Sequence, residues 1–175
     1  MRLWLALIAL LTGLVAVPLG LSAAAPFTPR AVAGKWTGTW TNVTFKSTGP
    51  AFINATVVGK GARAKLRYRS DFGGNVFGCA DPPAEGATLP RGRGVNHWNA
   101  RGFSIKGHTK AFGDVNVVYR HKGRTFTGGG GNPPCNAGLT WRITGKFTGK
   151  KFQASVNITF PDGSKALSNV RLTRR

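Results

Sequence analysis

The chain is short of acid. Five Asp and Glu stand against 25 Lys and Arg in 175 residues, a formal charge of +20. Charged residues make up only 17% of the chain, so the excess comes from missing carboxylates rather than from abundant bases. Two cysteines exclude a disulfide-dense miniprotein and a Cys-rich zinc module. Beyond the N-terminal segment no stretch is long and apolar enough to cross a membrane as a helix. No window carries a convincing 3.6-residue apolar stripe. The shortage of acid also narrows catalysis. A glycosidase needs two facing carboxylates, and only Asp71, Asp81, Glu85, Asp114 and Asp162 are available. Asp162 belongs to a turn, and Asp81 precedes a proline. There is no G-x-S-x-G elbow. Ser104 and Lys106, two apart on a strand, read as solvent-facing residues rather than a dyad. His97, His108 and His121 lack metal-ligand spacing, so neither a metal nor another cofactor is expected. The expectation is a non-enzymatic protein, with a hydrolase using Asp71, Asp81 or Glu85 as the remote alternative.

What is present points to a folded domain outside the cytoplasm. Hydrophobic residues at 41% and aromatics at 10% are enough for a core, and the length suits one domain. Arg2 precedes an apolar run from Leu3 to Leu21, broken near its end by Pro18 and Gly20. Ser22-Ala23-Ala24 then supplies small residues for signal peptidase. Residues 1–24 are read as a signal peptide, with an uncleaved anchor as the alternative. Cleavage removes Arg2 and no acid, which lowers the formal charge by one to +19. A short leader, 25–33, would precede a single domain over 34–175, secreted or periplasmic.

Period-2 alternation recurs along that domain. In Ala62–Arg69, Ala64, Leu66 and Tyr68 share one face while Arg63, Lys65, Arg67 and Arg69 share the other. Leu139, Trp141, Ile143 and Phe147 alternate with polar residues, as do Phe152, Ala154, Val156, Ile158 and Phe160. Pro161-Asp162-Gly163-Ser164 has the chemistry of a turn, and Ala166, Ser168, Val170 and Leu172 carry the chain back. Further strands are expected in Gly34–Lys46, Phe52–Gly59, Arg101–His108, Phe112–His121 and Arg124–Gly128, with short pieces at Val76–Phe77 and Val95–Trp98. The pattern predicts an all-β fold: an antiparallel up-and-down meander of about eight to ten strands closed into a barrel. A β-sandwich is the alternative.

Asp71–Leu89 and Gly128–Gly138 resist a strand assignment, being rich in Gly, Pro and Asn. Each holds one cysteine beside a Pro pair. In an oxidising compartment Cys79 and Cys135 most simply form a disulfide.

Gly34-Lys35-Trp36, followed by Trp40-Thr41-Asn42, resembles the first strand of the lipocalin and avidin group of secreted barrels. The resemblance implies a barrel closed at one end by the Trp and open at the other to a small apolar molecule. Avidins carry a Ser four residues past that Asn, where this chain has Lys46. Typical lipocalins end in a helix, and this chain ends on a predicted strand with Arg174-Arg175. No ligand residue is therefore carried over. A fainter echo of Gly34–Gly38 in Gly145-Lys146-Phe147-Thr148-Gly149 is read as hairpin grammar.

The inward candidates for holding a small or extended ligand are Trp36, Trp40, Asn42, Tyr68, Tyr119 and Trp141. The competing reading uses the outside. Arg63, Lys65, Arg67 and Arg69 form a stripe at ~6.6 Å spacing that would hold an anionic envelope or matrix polymer. Acidic glycans, lipopolysaccharide and nucleic acid all fit that charge. Nucleic acid fits least, because the aromatics alternate into the core instead of interleaving with bases. Asn42, Asn54 and Asn157 begin glycosylation sequons. Strand parity with Trp36 and Trp40 turns Asn42 inward, as a pocket polar group.

Overall fold

Alternation of apolar and polar residues is realised as strands throughout the computed structural model, which describes residues 25–175. The expected signal peptide lies outside the described residues. In chain order the strands are β1 Gly34–Asn42, β2 Ser47–Val58, β3 Lys65–Phe72, β4 Asn75–Val76, β5 Cys79–Ala80 and β6 Glu85–Pro90. There follow β7 Trp98–Asn99, β8 Gly102–Thr109, β9 Gly113–Arg120, β10 Thr125–Gly131, β11 Thr140–Thr148, β12 Lys151–Thr159 and β13 Lys165–Arg174. The only helical turns among the described residues are 3-10 turns at Pro29–Ala31 and Gly61–Arg63.

Eleven strands form one antiparallel sheet in the order β6-β3-β2-β1-β13-β12-β11-β10-β9-β8-β7, and β4-β5 is a separate hairpin. The chain is an up-and-down meander whose first strand sits beside its last. Trp36 lies opposite Arg174 and Asn42 opposite Ser168 across that pairing. The sheet curls into a nearly closed barrel. Its remaining seam, between β6 and β8, carries only a parallel bridge from Arg91 to Trp98 in place of a full ladder. This confirms the expected all-β meander and barrel.

The extra strand over the expected range comes from a segment read as loop. Asp71–Leu89 contributes the end of β3, the β4-β5 hairpin and most of β6. The four-glycine run likewise lies in a strand, β10, because its neighbours need the space. A Cβ at Gly130 would collide with the Asp114 carbonyl and come within 2.8 Å of the Trp141 ring. The glycines are where β9 and β11 close over an indole. At the other extreme, Arg63 leaves the predicted strand for the 3-10 turn, and β3 begins at Lys65.

One end of the barrel is plugged. Phe27 is 2% exposed, its N–H donates to the Ala100 carbonyl at 2.9 Å, and its ring meets Trp98, Tyr119 and His121. The segment read as a leader is thus packed into this end. Trp36 donates its indole N–H to the Val32 carbonyl at 2.9 Å, and the Arg174 guanidinium lies 5.3 Å from its ring centroid. Arg174 also donates to the Ala31 and Ala33 carbonyls, so the last strand clamps the entry segment.

The opposite end is ringed by the β1–β2 turn, the β4-β5 hairpin, and the loops before β11 and β13. The Cys79–Cys135 disulfide links the hairpin to the loop after β10, with Cα atoms 5.2 Å apart across 56 residues of sequence. Chain-entropy reasoning for a loop of that length gives about 4 kcal/mol. Replacing both cysteines by serine is expected to cost on that order, read as a lower denaturant midpoint with a steeper slope, because the unfolded chain without the cross-link exposes more surface.

Candidate functional site

Inward positions on ten strands of the main sheet, with β4 of the small hairpin, line a cavity of about 590 Å³. That lies in the ordinary range for small-molecule pockets, roughly 300–1,000 Å³. Empty core volume costs about 24 cal/mol per Å³. A dry void of this size would forfeit on the order of 10 kcal/mol, comparable to the net stability of a domain. A packing fault does not reach that scale.

The wall is mostly aliphatic and aromatic. Trp36 closes it at the plugged end, and Trp40 and Trp141 flank the open end. Each indole N–H is committed: Trp40 to the Gly73 carbonyl at 2.8 Å, Trp141 to the Phe112 carbonyl at 3.3 Å. The three rings therefore present apolar surface and no donor. Phe77 stacks on Trp141, and Phe72 and Phe112 meet edge to face beside it. At the rim, Phe45 is 60% exposed and packs against Phe160.

Polar groups gather in two places, with Asn75 of the β4-β5 hairpin and Asn136 of the loop after β10 also reaching the wall. Near the mouth, Asn42 and its cross-strand neighbours Ser47 and Ser168 form a row across β2, β1 and β13. Asn42 is 8% exposed, and its side-chain oxygen accepts the Phe45 N–H at 2.9 Å, holding the turn. At the seam, Tyr68 and Ser70 on β3 and Glu85 on β6 line the wall, with Thr109 across the gap on β8. Ser70 and Glu85 are direct register partners and so share the inner face.

Of the six inward candidates, Trp36, Trp40, Asn42, Tyr68 and Trp141 line the cavity. Tyr119 does not. It points inward but lies in the plug, 3% exposed, against Phe27, Phe103 and Phe147. Alternation gives a residue's face but not its height along a tilted strand. Residues missed in the sequence include Glu85 as an inner group, Ser70, Phe77 and Ser168. Glu85 alternates with Gly86 and Thr88 on a strand hidden among prolines, so its periodicity was masked.

The outer candidates separate. Lys65, Arg67 and Arg69 are exposed on one face of β3, with Asp71 next in the row. Asn54 and Asn157 are exposed on the outer face, opposite in orientation to Asn42. The carboxylates proposed for hydrolysis do not converge. Asp71 faces outward, Asp81 accepts the Gly74 N–H at 2.7 Å, and Glu85 faces inward. At the mouth, a hydrogen bond from His108 at 3.0 Å, with a further one from Asn132, holds the exposed Asp114 carboxyl below its usual range.

No family model matches the chain, and no curated protein matches it in sequence. Among solved structures, a DUF3598-family protein of unknown function from Nostoc punctiforme PCC 73102 is similar at TM-score 0.54 and 10% identity. The match covers 86% of this chain and 50% of that one, so this chain spans about half its length. An S-type phycobiliprotein lyase, CPES from Guillardia theta, aligns at TM-score 0.43 and 11% identity over 84% of this chain and 90% of that chain. The first likeness supports the barrel fold, and neither a lipocalin nor an avidin assignment follows from it.

The chain has two tyrosines, and both phenols are held above the ordinary value of 10.0. Burial is the main cause in each, with the charge of Glu85 adding at Tyr68. The folded state therefore binds these protons more tightly than the unfolded one, and this contribution to stability is lost as pH rises past 10.0. Tyrosinate absorbance in the folded protein is expected to rise at higher pH than in denaturant. Coincident titration curves would contradict the buried placement of both rings.

Proposed function

We propose that the protein is an extracytoplasmic carrier that binds an elongated, mainly apolar small molecule inside the barrel and does not transform it. The observation that carries this reading is the cavity of about 590 Å³, with a plugged end and a disulfide-braced open end. The apolar wall drives binding by removing ligand surface from water, at roughly 25 cal/mol per Å². The mouth row of Asn42, Ser47 and Ser168 and the seam group around Tyr68 fix orientation, as a few polar groups do in an apolar pocket. The disulfide supports an oxidising location. A neutral environment-sensitive dye such as N-phenyl-naphthylamine is expected to bind at one site per chain and quench the tryptophans, three of which line the wall. Val170→Phe fills the cavity from β13. It is expected to lower dye affinity at least tenfold with the fold retained by circular dichroism; unchanged affinity in that variant refutes cavity binding.

A second reading concerns the outside. The bases are not spread evenly around the barrel. Arg63, Arg93, Arg101, Lys122, Arg124 and Lys150 crowd the turns and loops of the plugged end. All five carboxylates lie at mouth-side strand ends or in mouth loops. An anionic polymer such as an acidic glycan, lipopolysaccharide or nucleic acid would engage the plugged end, with Lys65, Arg67 and Arg69 extending the field along β3. Triple substitution of Arg93, Lys122 and Lys150 by Gln is expected to lower the salt needed to elute the protein from heparin. The matching substitution of Lys46, Lys110 and Lys165 is expected to lower it far less. Equal shifts reduce the effect to net charge and remove the polymer site.

A further inference from the structure

A protein with 25 bases encloses a cavity whose wall includes none of them. The single charged side chain in that wall is Glu85. We infer that the cavity selects an amphiphile whose polar end carries a protonated nitrogen, seated against the Glu85 carboxylate with the apolar tail toward Trp36. This rests on the cavity reading given above and names the class of ligand for the same site.

Geometry places the carboxylate there. Glu85 opens β6 opposite Ser70, and the register carries Tyr68 opposite Ala87 on the same inner face. One carboxylate oxygen, Oε1, accepts the Ala111 N–H at 3.0 Å across the seam. Glu85 forms no salt bridge among the described residues. Arg67 and Arg69 share a shallow outer groove with it but stand on the opposite face of the sheet. The Tyr68 phenol lines the same corner. Burial and the Glu85 charge keep that phenol protonated, so it adds a neutral polar group and no second charge.

The corner thus offers an anionic acceptor and no cation. Glu85 is half-buried, so its carboxylate gives up part of its hydration and gains from a partner that replaces it. The Ala111 N–H supplies part of that, and a ligand ammonium supplies the counter-charge. A fatty acid would meet the opposite situation, with its head beside a like charge and no base inside to receive it. The bases that dominate the exterior do not line this corner, because strand parity keeps Lys65, Arg67 and Arg69 on the other face.

The test is displacement of the neutral dye from the whole domain at neutral pH by dodecylamine, dodecanol and dodecanoate, which share one tail. The amine is expected to displace it at about tenfold lower concentration than the alcohol, as a charge-assisted hydrogen bond contributes. Dodecanoate is expected to be the weakest. Glu85→Gln keeps an oxygen for the Ala111 N–H and removes only the charge. It is expected to abolish the amine's advantage, so that amine and alcohol displace the dye at the same concentration. If dodecanoate displaces best, or if the variant preserves the original order, the head-group inference fails while the alcohol still certifies the cavity. If Glu85→Gln weakens all three equally, Glu85 serves the seam alone and the inference is likewise overturned. If the dye never binds, the carrier reading itself falls, and that outcome is distinct from the others.

Discussion

Pairing of the first strand with the last is the constraint on which the remaining structure depends. Every other ladder in the main sheet joins strands adjacent in sequence or separated by the small β4-β5 hairpin. Those contacts alone would give two separate sheets, β6-β3-β2-β1 and β13 through β7, with four free edges exposed to pairing with other chains. β1 against β13 joins the two halves of the chain. The register then sets Trp36 opposite Arg174 and lets the arginine cover the ring while holding the Ala31 and Ala33 carbonyls. The plug is a consequence. Phe27 can enter the barrel end only because the segment before β1 is clamped by the strand that closes the chain.

A plugged end and an apolar wall do not by themselves leave space. Space persists because the largest side chains are pinned near the ends. The indoles of Trp36, Trp40 and Trp141 each donate to a backbone carbonyl, which fixes ring orientation and keeps them from collapsing inward. The middle of the wall is built from smaller residues such as Val117, Val156 and Val170. Barrel diameter is set by strand number and shear, so an eleven-strand sheet with such a middle cannot fill itself. The cavity follows from topology and residue size together.

Much of this was legible in the sequence and some was hidden for definable reasons. β11, β12 and β13 alternate cleanly because one face is buried and the other solvated, and their boundaries were read nearly as they occur. The Gly-Lys-Trp start placed Trp36 inward, and parity then put Asn42 on the same face as Trp36 and Trp40. β6 was missed and β10 was read only as far as Gly128, because prolines flank one and glycines fill the other, so composition concealed alternation. Tyr119 was placed on the right face at the wrong height. The charge was read as a stripe along β3. Its segregation to one end of the barrel emerges only when separate turns, distant in sequence, are brought to the same end by the meander.

The seam explains why the polar groups of the cavity lie where they do. A barrel that leaves β6 and β8 without a full ladder must satisfy exposed strand edges by side chains. Asn96 does so for Lys106, accepting its N–H and donating to its carbonyl, both at 2.9 Å. Ser104 reaches the Gly94 carbonyl, and Glu85 accepts from Ala111. These are repairs of one opening, made from the strands on either side of it. Asn96 and Ser104 belong to the repair near the plug, away from the cavity. Glu85 makes the repair near the mouth, where the inner face has space beside it. A carboxylate that ties β6 to the β8–β9 turn is thereby left as the one charged side chain in the cavity wall, so on the proposed ligand reading barrel closure and selectivity would share a residue.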